Sequence, residues 1–395
     1  MTAKPGGDEV TPDVSVIIPA HNSVNDIERC ITSVLGQSIG LDRLEIIVID
    51  DASTDGTGEI LTRMAEGDEH MRLVRLGGTG GPAIPRNAGL DLARGRFVYF
   101  LDHDDYLGEE ALERLVAMAD ENGSDIVLGK MVGVAGRHAP QSMFTRDQPN
   151  AGLFTSKVYW TLNPMKLFRR EMIERIGLRF LNLPWGEDQP FVAEAYLNAS
   201  VISVLASYDC IYWCQRADGA NLMRSTPSLA SRLTCPDVMF PLIARYVPPG
   251  PDRDLLARRH FEVGVMNVVL TALADEKDPD LQREGFATVR GWVRDYYTAG
   301  IAKKLRPWHR VAYDLVQRDR LPELVEYMHL TRAKKDWPEV VRHGHVYLTL
   351  PYFRDPAVGV PEECYRLRLA TLPLYAPRRL ARGVWRRLRR LAGRS

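Results

Sequence analysis

The chain has 395 residues, 45% hydrophobic and 26% charged, with 51 basic and 51 acidic side chains. That length allows two or three domains, and the balance excludes global disorder and gives no basic body of the kind a nucleic-acid partner would select. No apolar run approaches the roughly 18 residues of a membrane span, and the start "MTAKPGGDEVTPD" lacks a signal-peptide core, so a loose tail over residues 1–12 and a cytoplasmic protein are expected.

Taken in order, the first third alternates strands with helices. "VSVIIP" (Val14–Pro19) predicts a buried strand, and "SVNDIERCITSVLGQ" a helix with Ile27, Ile31, Val34 and Leu35 on one face and Ser23 as N-cap. "EIIVID" is the next strand, and "STDGTGEILTRMAE" a helix that buries Ile60, Leu61 and Met64. "MRLVRL", the loop "GGTGGP", a helix with Pro82 near its first turn, and "RFVYFL" follow, with further strand-like runs at "DIVLGKMVGV" and "VISVLASYDCIYWC". Short apolar strands separated by helices predict an α/β fold, a Rossmann-like mixed sheet flanked by helices. From about Ser225 the pattern turns helical, in "ARRHFEVGVMNVVLTALADE", "REGFATVRGWVRDYYTAG" and "WHRVAYDLVQRDRLPELVEYMH", with "VYLTLPYF" as a candidate strand pair. Five cysteines with no CxxC are read as reduced thiols.

The chain's neutrality hides an asymmetry. Ten arginines and no acidic residue or lysine follow Glu363, so residues 1–363 carry about −10. In "RRLARGVWRRLRRLAGRS" the residues Leu380, Val384, Leu388 and Leu391 share a helical face ringed by arginine, the pattern of a helix lying on an anionic membrane surface. A nucleic-acid tail and a helix docked on the acidic body are its rivals.

Two acidic clusters fall at strand ends, where open α/β sheets bind ligands. "IDDAST" supplies Asp50, Asp51 and Ser53, and "FLDHDDYL" supplies Asp102, Asp104 and Asp105. Such crowding is compatible with a divalent metal, the start of a helix, or a solvated turn. Alternating aspartates suit Mg²⁺ or Mn²⁺, ions that bind through one or two carboxylates and complete their shell with water and substrate phosphates. Between the clusters, "GGPAIPRNAG" offers glycines, Arg86 and Asn87 to an anionic ligand. "GGTGG" is no P-loop, because no Lys-Ser/Thr pair follows it.

Taken together and in this order, "VSVIIPAHNSVNDIERCITSVLGQS", "IIVIDDASTDGT", "GGPAIPRNAGLDLARGRFVYFLDHDDYL" and "WGEDQPF" resemble the inverting glycosyltransferases of family 2, with the GT-A fold. The resemblance runs from Pro12 to about Asp218. It implies that Pro19, Ala20, His21 and Asn22 line a nucleotide base pocket, that Asp51 accepts a hydrogen bond from the base, and that Arg86 and Asn87 lie near the base and ribose-diphosphate. Asp102 and Asp104 look like the family's DxD pair, with Asp104 the direct metal ligand and Asp102 nearer the ribose. His103 is then a spacer, and Asp105 is read mainly as an N-terminal helix residue favoured by the dipole. Asp188 resembles the catalytic base, and Glu187 an orienting residue; simple capping of a helix is the plainer reading of both.

"NPMKLFRREMI" and "GEDQPF" look closest to the enzymes that glycosylate the ribitol phosphate of wall teichoic acid, and to capsule enzymes. The resemblance implies a hexosyl- or N-acetylhexosaminyl-transferase that uses a nucleotide-sugar, with a UDP-sugar favoured, and a polymeric or lipid-linked glycan acceptor. Lys166, Arg169, Arg170 and Arg216 are candidates for acceptor phosphates or solvated charges, and Trp160, Trp185 and Trp213 for sugar stacking or core packing. "WCQRADGANL" lacks the QxxRW signature of processive synthases, so a single transfer is expected. The helical periodicities of the last third do not predict the trimerising β-sandwich of the best-known wall-polymer enzymes. The expected organisation is therefore a tail (1–12), a GT-A domain (13–225), a mainly helical accessory domain (226–375) and a basic amphipathic tail (376–395). That places the protein on the inner face of the cell membrane and leaves homo-oligomerisation open. A nucleotidyltransferase and a non-catalytic sugar-nucleotide or glycan-binding module are the competing classes.

Overall fold

The computed structural model describes residues 11–78, 80–215, 227–334 and 336–367. Arg216 and the basic stretch 376–395 lie outside the described residues. Contacts divide the chain into two units, Met1–Pro227 with Pro241–Tyr246, and Ser228–Phe240 with Val247–Ser395.

In the first unit, β1 (Val14–Ala20), β2 (Leu44–Asp51), β3 (Met71–Leu76), β4 (Phe97–Phe100), β5 (Tyr106–Leu107), β6 (Ile126–Val134), β7 (Leu167–Arg169) and β8 (Ile202–Cys214) form one sheet. Its order is β3-β2-β1-β4-β7-β6-β8-β5. The first four strands are parallel, β7 runs antiparallel to β4 and β6, and β5 antiparallel to β8. This is the mixed sheet of the GT-A fold. Every residue of β1, β2 and β4 is buried, which is why these strands read as mainly apolar runs, with the buried Ser15 hydroxyl donating to Glu45.

The helices of this unit are α1 (Ile27–Leu35), α2 (Thr57–Ala65), α3 (Ala83–Leu92), α4 (Ala111–Asn122), α5 (Arg170–Arg175) and α6 (Asp188–Asn198). Helix α3 lies so close to β1 that a Cβ at Gly89 would sit 2.3 Å from Ile17 Cγ2. Two local expectations are corrected. Ser23 does not cap α1: its buried hydroxyl has no hydrogen-bond partner among the described residues, and Asp26 is the boundary residue. In α2, Thr57 and Leu61 are buried, whereas Ile60 and Met64 are only half-buried.

The second unit is mainly helical. It holds α7 (Leu229–Tyr246, whose residues are divided between the units), α8 (Pro251–Arg259), a π-helical segment (His260–Val269), α9 (Leu270–Asp275), α10 (Pro279–Tyr296), α11 (Ala299–Lys304), α12 (Pro307–Gln317), α13 (Leu321–Ala333) and α14 (Glu362–Tyr365). Proline in the first turn starts α8, α10 and α12, and the Asp278 and Thr298 side chains cap α10 and α11. Phe261, Val265, Val289, Tyr313 and Tyr327 lie at the centre of its core. The strand pair is β9 (Glu339–Arg342) with β10 (His345–Leu348), antiparallel. Among the described residues no helix is long and apolar enough to cross a membrane.

Candidate active site

The carboxyl ends of β1 and β2 lie in register, Ala20 beside Asp50, and the loops that leave them are tied together by side chains. His21 Nδ1 lies 2.7 Å from the Asp51 carbonyl oxygen, so that nitrogen carries the proton, and Nε2 accepts from the Asn22 amide at 3.2 Å. The Asn22 backbone N–H donates to Ser53 Oγ at 3.1 Å, and Thr54 N–H donates back to Asn22 Oδ1 at 2.9 Å. Asn22 and Ala52 both hold left-handed backbones, with φ of 45° and 57°. Strain of this kind concentrates at ligand-binding turns. Pro19, Ala20 and Asp51 are buried at this edge. His103 joins them, its Nδ1 being 3.0 Å from the Pro19 carbonyl oxygen. It is thus more than a spacer, because it fastens the acidic turn to the end of β1.

Arg86, on the second turn of α3, gathers the next group. Its guanidinium is 4% exposed. It donates to Asp102 Oδ1 from one nitrogen and to Glu187 Oε1 from the other, each at 2.8 Å. Glu187 lies 101 positions away in the sequence. The Phe180 ring lies 5.2 Å from the guanidinium and stacks on Phe191 of α6 at 3.9 Å. Burial disfavours the cation, but Asp102 and Glu187 outweigh it and, with Asp188, raise Arg86 above its ordinary value. Asp188 is half-buried in the first turn of α6. One arginine therefore unites the "DHDD" turn with the "GED" turn.

The remaining acids are held in a dry setting. Asp104 is 9% exposed, and its carboxyl is pushed up by burial and by Asp102, against His103 and Arg137. Asp105 is fully buried. Burial, then Asp104 and Asp102, raise it well above the carboxylate range. Its Oδ1 accepts from the Cys214 amide at 2.7 Å, and α4 begins only at Ala111. Asp105 is therefore not a helix-starting residue; it pins the end of β8 to the acidic turn. Asp105 Oδ2 has no hydrogen-bond partner among the described residues.

This donor set fits a hard divalent cation. Crowded, desolvated carboxylates outnumber the guanidiniums that face them. Among the described residues no group of three His, Cys, Asp or Glu side chains could hold an ion by itself.

Other sequence candidates land differently. The Asn87 side-chain amide is engaged with the Phe180 backbone, donating at 2.8 Å and accepting at 2.9 Å, so it fixes the ring that backs Arg86. Lys166 is 2% exposed, with its ammonium on the Asn163 carbonyl and side chain, and so sits inside the fold rather than on a surface open to a polymer. Arg169 donates to the Ser124 carbonyl, and Arg170 to the Gly95 carbonyl. Trp160 and Trp185 are half-buried, and Trp213 lies beneath the Arg137 guanidinium at 3.5 Å. Arg137, which also donates to the Cys214 carbonyl at 2.7 Å and acts on Asp104 and Asp105, is the site residue that the sequence concealed. Nothing in "GVAGRHAP" sets it apart from a surface arginine.

Comparison with known proteins identifies two matching domains. Residues 15–177 match the model for glycosyl transferase family 2, and residues 238–328 the glycosyl transferase TarS linker domain. The poly(ribitol-phosphate) beta-glucosyltransferase of Bacillus spizizenii is 39% identical over 211 residues, 53% of this chain and 33% of that protein. The poly(ribitol-phosphate) beta-N-acetylglucosaminyltransferase TarS of Staphylococcus aureus is 38% identical over 210 residues, 53% of this chain and 36% of that protein. The chain thus spans about a third of the length of these relatives. The crystal structure of S. aureus TarS 1–349 in complex with UDP-GlcNAc superposes with a TM-score of 0.74 at 26% identity, over 88% of this chain and 98% of that one. Residues 15–177 thus form a family 2 glycosyltransferase domain with the GT-A fold, and residues 238–328 a helical region that matches the TarS linker domain.

Proposed function

We propose that the protein is a metal-dependent, inverting glycosyltransferase that moves a sugar from a UDP-sugar to a hydroxyl of a polyol-phosphate polymer, with Asp188 as base. The observation that carries this reading is the Arg86 bridge from Asp102 to Glu187, which brings the donor-side acids and the Asp188 turn into one site. The TarS complex with UDP-GlcNAc supports a uracil nucleotide, and the two poly(ribitol-phosphate) relatives support a phosphate-linked polyol as acceptor.

In this reading the turns at His21–Asn22 and Asp51 receive the base, with Pro19 and Ala20 forming the floor. Asp104 and Asp102 hold Mn²⁺ or Mg²⁺, whose chemistry there is to neutralise the leaving diphosphate. The Asp188 carboxylate takes the proton of the acceptor hydroxyl as that oxygen bonds to the anomeric carbon. The bond from that carbon to the diphosphate breaks on the opposite face, so the configuration inverts without a covalent enzyme intermediate. Glu187 orients through Arg86. Trp185, just ahead of Gly186, is assigned to the acceptor, and Arg216 lies outside the described residues. The basic stretch 376–395, also outside them, brings the enzyme to an anionic membrane surface.

Asp188→Asn tests the assignment. Transfer should fall by about 10²–10⁴-fold, the usual contribution of a positioned base, while UDP-sugar with Mn²⁺ still raises the melting temperature as it does for wild type. Transfer at near wild-type rate would remove Asp188 from the role. A Glu187→Gln variant that lost more turnover than Asp188→Asn, at equal fold stability, would assign the base to Glu187.

A further inference from the structure

A cleft of about 540 Å³ opens in the second unit between α10 and the end of α12, lined by Arg290, Gly291, Arg294, Tyr297 and Gln317 among others. Its volume is in the range of small-ligand sites. Two features of its wall work against the helix that forms it. Gly291 lies inside the 18-residue α10, where glycine is the poorest helix former after proline. Gly285 in the same helix has a packing reason, since a Cβ there would lie 2.7 Å from Leu229 Cδ2. At Gly291 a Cβ would meet nothing within 4 Å. Close packing therefore does not account for this glycine, which leaves the cleft wall at this point without a side chain.

The second feature is charge. Arg290 and Arg294 are one helical turn apart, a spacing at which like charges disfavour a helix. Each is steadied at the rim, Arg290 by Asp319 and Arg294 by both oxygens of Asp295 at 2.7 and 2.8 Å. Arg294 spends Nε and Nη2 on Asp295 and Arg290 spends Nη1 on Asp319, so the N–H groups that these acids leave over are the ones that can meet the oxygens of one phosphate group. Tyr297 is anchored against Tyr313 and Phe261, at centroid distances of 4.8 and 5.3 Å, and burial keeps its phenol protonated and able to donate. Gln317 adds an amide on the α12 side.

We propose that this cleft binds one repeat of the polyol-phosphate acceptor, with a phosphodiester across Arg290 and Arg294 and the polyol hydroxyls over Gly291 toward Tyr297 and Gln317. The inference rests on the acceptor class proposed above. It gives the linker-type region a binding role of its own in capturing polymer.

The test uses the full chain and a synthetic ribitol-phosphate hexamer, with binding followed by calorimetry. Arg290→Ala/Arg294→Ala should weaken hexamer binding about tenfold, the scale of losing charge-assisted contacts to one phosphate. The acceptor KM should rise with it, while kcat at saturating polymer and the KM for the UDP-sugar stay unchanged. Gly291→Leu should do the same by filling the cleft, with Gly291→Ala near wild type. Should Gly291→Leu melt early, the arginine pair, which is on the surface, decides the result. Unchanged hexamer affinity in that pair overturns the proposal, as does full competition by inorganic phosphate, which would assign the cleft to a free anion. Wild type that binds the hexamer but transfers nothing to it would defeat the acceptor reading while leaving the cleft's binding role standing.

Discussion

Arg86→Ala should be among the most damaging single changes in the first unit, and the structure allows its size to be worked out. The substitution removes two charge-assisted bonds of 2.8 Å and leaves Asp102 and Glu187 without their shared cation. Side-chain exposures are 5% for Arg86, 13% for Glu187 and 29% for Asp102, so Glu187 pays nearly the full desolvation penalty while water relieves Asp102 in part. Breaking a buried ion pair by removing one member costs about 3–5 kcal/mol. Solvation of Asp102 places this case near the lower end, at about 3 kcal/mol. At roughly 2–4 °C per kcal/mol for a domain of this size, the melting temperature should drop by about 6–12 °C. Thermal melts by circular dichroism measure it. The triple variant Arg86→Met/Asp102→Asn/Glu187→Gln removes all three charges together and should recover at least half of the loss. A single variant that melted within about 2 °C of wild type would refute the claim that Arg86 is the counter-charge binding these turns.

Gly89→Ala should cost about 1–3 kcal/mol by overpacking, because its Cβ would meet Ile17 Cγ2 at 2.3 Å; a urea midpoint equal to wild type would contradict that contact. Asp105→Ala should cost about 1–3 kcal/mol through the orphaned Cys214 amide, whereas Asp105→Asn, which keeps an acceptor oxygen, should cost less; equal losses in urea melts would deny the bond its role. His309 titrates at about 3 because burial, then Arg306 and Arg310, disfavour its imidazolium, and burial lowers His260 in the same direction. The unfolded chain takes up these protons first, so the stability of the second unit is full above about pH 6.5 and should decline toward pH 3, by up to about 1.4 kcal/mol per pH unit for each imidazole. Melting temperatures equal at pH 7 and pH 5 would count against that burial.

The strands that build the site were legible because they are buried on both faces: β1, β2 and β4 face no solvent, and only Ser15, Glu45 and the aspartates at the end of β2 interrupt their apolar runs. Strand β7 was not, since three residues within "NPMKLFRREMI" are too few to show a period, and its antiparallel insertion between β4 and β6 makes the sheet mixed. At the site, the acids could be read because like charges seldom crowd at a strand end without a counterpart. Their individual tasks could not, because they depend on long-range partners: Cys214 for Asp105, Pro19 for His103, Phe180 for Asn87. Ser23 misled for a related reason. Capping preference describes the local chain, yet the Ser23 amide is taken by Thr57 of the neighbouring turn, which fixes the loop before α1 begins.

The division of labour between Glu187 and Asp188 follows from the same contacts. A base must move an oxygen toward the acceptor hydroxyl as the bond to the sugar forms. For Glu187 that movement would break a buried ion pair, leaving Arg86 desolvated with one partner fewer, and the cost would be added to the barrier of every turnover. Asp188, in the first turn of α6, acts electrostatically on the same guanidinium. An arginine committed to Glu187 thereby holds the turn still and positions the neighbouring carboxylate. In the proposed mechanism that arrangement serves proton transfer from a hydroxyl, a step that donor binding alone does not require. It therefore weighs against a module that only binds a sugar nucleotide.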